Sequence, residues 1–131
     1  MNTKRLVQIG GVINLLFAAF HLSFWKLFNW QQSLAVLSSD ARAVMQVLNI
    51  HTAYIVAVCA SLACVVSREM SASKLGRMVG MSIAGFWILR AVNEAVFWDV
   101  SSVRSWVLIV VCFVIAGLYI IPLARKGAIQ D

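Results

Sequence analysis

The chain has 131 residues, of which 62% are hydrophobic and only 12% are charged, with a mean hydropathy of +0.88. Soluble domains are about half apolar and about a quarter charged, so this composition indicates an integral membrane protein and excludes a separate soluble domain. The net charge of +6 does not indicate nucleic-acid binding, because the basic residues stand singly or in pairs at the ends of apolar runs, where they orient helices.

Four apolar runs predict four transmembrane helices, since a bilayer core about 30 Å thick needs roughly 20 apolar residues per helix. The predicted spans are residues 6–28, 43–66, 78–98 and 106–123. The first run continues past residue 19 without a small-residue cleavage site, so we interpret it as an uncleaved span and not as a signal peptide. We therefore expect residues 1–131 to form a single integral membrane domain, an all-α four-transmembrane-helix bundle.

Three local features refine the predicted helices. Ser38, Ser39 or Asp40 can cap the second span, because short polar side chains satisfy the free N–H groups of a helix start. Small residues repeat every four positions at the start of the third span and permit close contact with a neighbour: Gly76, Gly80 and Ala84. The fourth span carries no charge between Trp106 and its carboxyl end, so we expect it to be the most lipid-exposed wall.

Lysine and arginine residues in the short connections predict the orientation. One side carries seven of them: Lys4, Arg5, Arg68, Lys74, Arg77, Arg125 and Lys126. The other side carries three: Lys26, Arg42 and Arg104. Four tryptophans also fall on that second side, as expected of an interfacial aromatic belt: Trp25, Trp30, Trp98 and Trp106. The prediction is therefore N-in/C-in, with both ends in the cytoplasm.

Ionisable residues inside the spans carry the functional signal, because each costs at least about 2.5–3.5 kcal/mol at the bilayer centre and needs a polar partner or water. The chain has four of them: His21, His51, Arg90 and Glu94. Three asparagines accompany them: Asn14, Asn49 and Asn93. At a rise of 1.5 Å per residue, His21 and Glu94 each lie about 6 Å inside the outer interface. All four ionisable residues are predicted to lie in the outer half of the bilayer.

Helical spacing predicts which of these residues act together. Arg90 and Glu94 have the i,i+4 spacing of an ion pair, and Asn93 shares their face. Asn49 and His51 are two residues apart and point in nearly opposite directions, so only one of them faces the bundle interior. On the first span, His21 lies on one stripe with Asn14, Phe17, Trp25 and Phe28.

Three functional classes are compatible with this pattern. In the first, a small amphipathic molecule such as a quinone, a lipid or an organic anion binds or is transported, with possible proton coupling. Its binding residues would be His21, His51, Arg90, Asn93, Glu94, Trp25 and Trp98. In the second, the chain is an accessory subunit of a larger membrane complex or a homo-oligomer, and Arg90 and Glu94 are a structural pair.

The third class is a metal-dependent membrane enzyme with His21, His51 and Glu94 as ligands. The spacing lacks the local histidine motifs of metal sites, and Arg90 would repel a cation. Haem held between His21 and His51 is a further alternative, although neither histidine lies in a haem-binding pattern. We therefore expect no metal and no cofactor, and the lipid bilayer is the one partner that the sequence requires.

The layout of the chain resembles the DoxX-like group of small bacterial four-helix membrane proteins. The matching features are a histidine late in the first span (Asn14-Leu15-Leu16-Phe17-Ala18-Ala19-Phe20-His21), an arginine leading into the second (Asp40-Ala41-Arg42-Ala43), and an otherwise apolar bundle. The resemblance covers the architecture of the whole chain. It implies a multi-pass protein of a bacterial cytoplasmic membrane, in a group of which some members are linked to quinone-coupled sulfur oxidation.

The predicted orientation can be tested by cysteine labelling in a variant whose three native cysteines are replaced. A membrane-impermeant maleimide added from the outer side should modify Ser38→Cys and leave Ser73→Cys unmodified, because residues 31–42 are predicted outside and residues 68–77 inside. Labelling of both positions after the membrane is permeabilised is the control. The reverse pattern in intact cells would overturn the orientation.

Overall fold

The computed structural model describes residues 3–65, 67–70 and 72–127, with the side chains of residues 125–127 excepted. Its helices are α1 (Thr3–Leu22), α2 (Phe24–Leu27), α3 (Trp30–Ser33), α4 (Ser39–Val65), α5 (Lys74–Phe97) and α6 (Val103–Gly127). Of these, α1, α4, α5 and α6 are long and apolar enough to cross a membrane. The predicted all-α fold with four transmembrane helices is confirmed, and the chain is an integral membrane protein.

The first span is interrupted at Ser23. α1 ends at Leu22 and α2 follows directly from Phe24 to Leu27, while the Ser23 hydroxyl donates to the Phe20 carbonyl. Asn29, at a φ of 45°, lies in the left-handed region and separates α2 from α3. Trp25 therefore lies on α2 and leaves the predicted stripe of α1.

The other spans are longer than predicted because their caps lie further out. α4 begins at Ser39, and the Ala41 N–H donates to the Ser38 hydroxyl at 3.3 Å, so Ser38 is the cap. The Gly76 N–H donates to the Ser73 hydroxyl at 2.9 Å and fixes the start of α5. α6 continues past Pro122 to Gly127, and the predicted last residue of the second span, Val66, lies outside the described residues.

The four long helices form two closely packed pairs. α1 packs along α4, α5 packs along α6, and contacts between α1 and α6 join the two pairs. α4 and α5 touch each other far less. In the α1–α4 pair, a Cβ on Gly11 would meet the Ala63 side chain at 3.1 Å and the Ala60 carbonyl at 3.2 Å. Small residues therefore set the close approach of these two helices.

A buried asparagine links three helices at the centre of the bundle. The Asn14 amide nitrogen on α1 donates to the Tyr119 hydroxyl on α6 at 2.8 Å. The Trp87 indole N–H on α5 donates to the Asn14 amide oxygen at 2.9 Å. All three side chains are buried, and Gly10 leaves space for the tyrosine ring, which a Cβ at that position would approach to 2.8 Å.

The prediction that the fourth span is the most lipid-exposed wall is wrong. α6 buries a continuous stripe against α5 and α1: Ser105, Ile109, Cys112, Ile115, Ala116 and Tyr119. The helix with the smallest buried share of its most apolar stretch is α4, with 28% against 33% for each of the other three helices. A helix without charge packs inside when its small and large side chains fit a neighbour, so charge alone does not predict lipid exposure.

The glycines of α5 allow a matched test of packing. A Cβ on Gly76 would overlap the backbone carbonyl of Glu69, whereas a Cβ on Gly85 meets nothing within 4 Å. Gly76→Ala should lower the free energy of unfolding by about 1–3 kcal/mol, the usual cost of overpacking. Gly85→Ala should leave it unchanged or slightly higher, because alanine favours helix over glycine. Equal thermal stability of both variants in detergent would contradict this packing.

Candidate functional site

His21 and Asn49 form a reciprocal pair between α1 and α4. The His21 Nδ1 lies 2.7 Å from the Asn49 Oδ1, and the Asn49 amide nitrogen donates to the His21 carbonyl at 2.8 Å. Since the second bond fixes which amide atom is the oxygen, Nδ1 must carry the proton when the imidazole is neutral. The remaining nitrogen, Nε2, is then a hydrogen-bond acceptor and the site of any further protonation.

The structure decides between Asn49 and His51. Asn49 is buried against α1, whereas His51 is exposed and its Nδ1 lies 2.8 Å from the Val47 carbonyl of its own helix. The two residues point apart, as their spacing predicted. His51 is therefore not brought together with His21, and its inclusion among the binding residues requires correction.

Arg90 and Glu94 form an ion pair whose two partners are unequally buried. The Arg90 Nη2 donates to the Glu94 Oε2 at 2.8 Å. The glutamate side chain is 2% exposed and the arginine side chain 31% exposed. The Arg90 guanidinium carbon also lies 5.8 Å from the centroid of the Trp98 ring, two turns further along the chain. Arg90 therefore extends towards the C-terminal end of α5, as long cationic side chains in membranes extend towards an interface.

Arg90 uses few of its hydrogen-bond donors. Among the described residues, the guanidinium makes one hydrogen bond, to Glu94, and one ring contact, to Trp98. An arginine has five N–H donors, so most of its donors remain available to a ligand or to water.

The other predicted binding residues lie around this pair in different environments. Asn93 is exposed and does not face the bundle interior with its neighbours. Trp25 is half-buried and packs against the buried Trp30, with ring centroids 5.0 Å apart. Trp98 is exposed and contacts Arg90. Of the four ionisable residues within the spans, the structure pairs Arg90 directly with Glu94 and binds His21 to Asn49.

Ser105 was not predicted as a site residue, yet its environment is unusual. Its side chain is fully buried, and its hydroxyl has no hydrogen-bond partner among the described residues. It lies in the first turn of α6, at the same end of the α5–α6 pair as Glu94. A serine in the first turn of a helix is normally interpreted as a helix cap. No sequence pattern therefore distinguishes Ser105 from a capping residue.

Aromatic side chains pack above His21. The Phe24 ring lies 4.7 Å from the imidazole at an angle of 30°, and Phe24 also contacts Trp30 and Phe28. Arg42 fixes the connection that follows by donating to three carbonyls, those of Leu34, Ala35 and Leu37. This outer connection therefore covers the end of α1 as an ordered layer.

An apolar groove of about 360 Å³ lies between α1 and α6. Its lining consists of Leu16, Phe17, Phe20, Val107, Leu108 and Val111. Phe17 precedes His21 by about one turn and Phe20 is its immediate neighbour, so the groove lies in the same half of the bundle as the polar residues. The groove therefore uses the fourth span, which the sequence predicted to be a lipid-exposed wall.

The metal hypothesis finds no geometric support in the described part of the chain, where no group of three His, Cys, Asp or Glu residues could hold an ion. His51 points away from the other two residues proposed as ligands.

Comparison with known proteins gives no family model that matches the chain, and no significant match among curated proteins or solved structures. The functional argument therefore depends on the geometry of these residues.

Unequal burial predicts unequal mutational effects at the ion pair. Arg90→Ala strands a buried carboxylate and should lower the free energy of unfolding by about 3–5 kcal/mol at neutral pH. Glu94→Ala should cost less, because Arg90 is partly exposed and can reach water. The double variant should lose less than the sum of the two single losses. Strictly additive losses in detergent unfolding would mean that the two side chains are not energetic partners.

Proposed function

We propose that the chain binds a small amphipathic molecule in the outer half of its bundle, and that the molecule presents an anionic or carbonyl oxygen to Arg90. The observation that carries the proposal is the partly exposed guanidinium, which has one hydrogen-bond partner among the described residues. An arginine within an apolar span is costly, and such residues usually mark a substrate or ion pathway. A purely structural partner for Glu94 would not need these additional donors.

His21 supports the proposal as the second polar contact. Its Nδ1 is engaged by Asn49, which leaves Nε2 to accept a hydrogen bond from a ligand hydroxyl or to take up a proton. Asn49 in turn fixes the orientation of the ring, as partners of functional histidines commonly do. Histidine and arginine together would receive a polar head group.

The apolar groove between α1 and α6 provides a surface for the apolar part of such a molecule. It is lined by aliphatic and aromatic side chains and lies in the same half of the bundle as His21. Binding sites for small molecules combine such apolar walls with a few converging polar groups. A quinone, a lipid or an organic anion has this division into head and tail.

The proposed location is a bacterial cytoplasmic membrane, with the site opening towards the outer side. The distribution of lysine and arginine and the resemblance to DoxX-like proteins support this location. A ligand would then enter from the outer leaflet or from the outer aqueous phase.

Decanesulfonate is a suitable probe, because its head group stays ionised and its chain is apolar. Calorimetry with the protein in lipid nanodiscs should show saturable binding that empty nanodiscs lack. Arg90→Gln should weaken binding by at least about tenfold, the loss expected for a charge-assisted hydrogen bond. His21→Gln should weaken binding while changing stability little, since a hydrogen bond between membrane helices is worth about 0.6 kcal/mol.

Two matched variants serve as controls. Arg104→Gln removes an equal charge from an exposed position at the same end of the bundle, and His51→Gln removes the histidine that faces away. Both should bind decanesulfonate as the unmodified protein does. Equal binding by Arg90→Gln and Arg104→Gln would refute the proposed site and favour the accessory-subunit hypothesis. Decanol should show no dependence on Arg90, because it lacks the anionic head.

A further inference from the structure

The negative charge of Glu94 needs Arg90 as its partner more than the positive charge of Arg90 needs Glu94. The carboxylate is almost completely buried, and Arg90 is its one cationic partner among the described residues. Arg90 is partly exposed and has spare donors. Any anion that draws the guanidinium away would leave the carboxylate charged in an apolar interior. Buried groups in that situation take up a proton instead of remaining charged.

We propose that anion binding at Arg90 is coupled to the uptake of one proton by Glu94. This inference rests on the proposed function and adds that ligand binding is linked to protonation of a second residue. The ligand's anionic oxygen first accepts hydrogen bonds from the donors that Glu94 leaves free, and it then draws the guanidinium away, so that the Arg90–Glu94 ion pair opens. One proton released by a buffer acid in the aqueous phase then forms an O–H bond with the Glu94 carboxylate, and the conjugate base of the buffer stays in solution. One negative charge and one positive charge enter together, so the net charge of the site is unchanged.

Ser105 supports this coupling through its buried hydroxyl, which lacks a partner among the described residues. α5 ends at Phe97 and α6 begins at Val103, so Glu94 and Ser105 lie within one turn of the same end of an antiparallel pair. Both side chains are buried, and α5 and α6 pack closely. A protonated Glu94 has an O–H to donate, and the acceptor that we propose for it is the Ser105 hydroxyl at the same end of the helix pair.

The experiment must distinguish proton uptake by Glu94 from proton uptake by the other groups near it. Arg90 lies on the same helix and is the ion-pair partner of Glu94. Cys112 on α6 and His21 on α1 are the neighbouring titratable groups on the other helices, and His21 also faces the uncharged Asn49 of α4. Since an imidazole can also take up a proton, the contribution of His21 must be tested with its own variant.

The test measures proton uptake when decanesulfonate binds to the intact protein in nanodiscs. Calorimetry in two buffers of different ionisation enthalpy should give close to one proton taken up per sulfonate bound at neutral pH. The dissociation constant should rise by up to tenfold per pH unit over the range in which Glu94 is ionised before binding and protonated after it. Binding without proton uptake would overturn the coupling and leave the proposed function intact. Absence of binding dependent on Arg90 would overturn both.

Three variants show which residue takes up the proton. Glu94→Gln mimics the protonated carboxyl, so it should bind the sulfonate more tightly at high pH, with no pH dependence and no proton uptake. His21→Gln should bind more weakly but keep the pH dependence. Ser105→Ala should keep the coupling and move it to lower pH, because the protonated carboxyl loses an acceptor. If proton uptake persists in Glu94→Gln and disappears in His21→Gln, the proton belongs to the histidine and the inference is wrong.

Discussion

The amide of Asn14 is the contact on which the arrangement of the helices depends. It accepts from Trp87 of α5 and donates to Tyr119 of α6, so one side chain of α1 satisfies two large polar side chains in the bundle centre. No water is available in a lipid interior to replace a lost partner, and each unsatisfied group there costs several kcal/mol. The three helices are therefore fixed in rotation and in depth relative to one another.

Close packing is possible around this centre because small residues lie beside the large ones. Gly10 makes space for the Tyr119 ring, and Gly11 lets α1 approach α4. The result is two tight pairs, α1–α4 and α5–α6, with a weaker contact between α4 and α5. These polar residues lie on both pairs: His21 and Asn49 on one, and Arg90 and Glu94 on the other.

The polar side chains differ in how completely they are satisfied, and this difference separates scaffold from site. Asn14 and Asn49 each use both ends of the amide in hydrogen bonds to other helices. In the described part of the chain, Arg90 keeps donors to spare and the buried Ser105 hydroxyl has no partner. Buried polar groups are normally paired, so the exceptions are informative. The exceptions here lie towards the end of the helix pair at which α5 stops and α6 begins.

The sequence by itself determined the four apolar helices, the all-α class and the i,i+4 pairing of Arg90 with Glu94, because these follow from hydropathy and helical repeat alone. It left open whether Asn49 or His51 faces inwards, and it misjudged α6. A helical repeat shows which residues share a face, but not which face meets a neighbour. The interruption of the first span at Ser23 was not predicted, because hydropathy does not register a break of one residue between two helices. The partners of Asn14 and the burial of Ser105 were decided only by tertiary structure, because they depend on residues up to 105 positions apart.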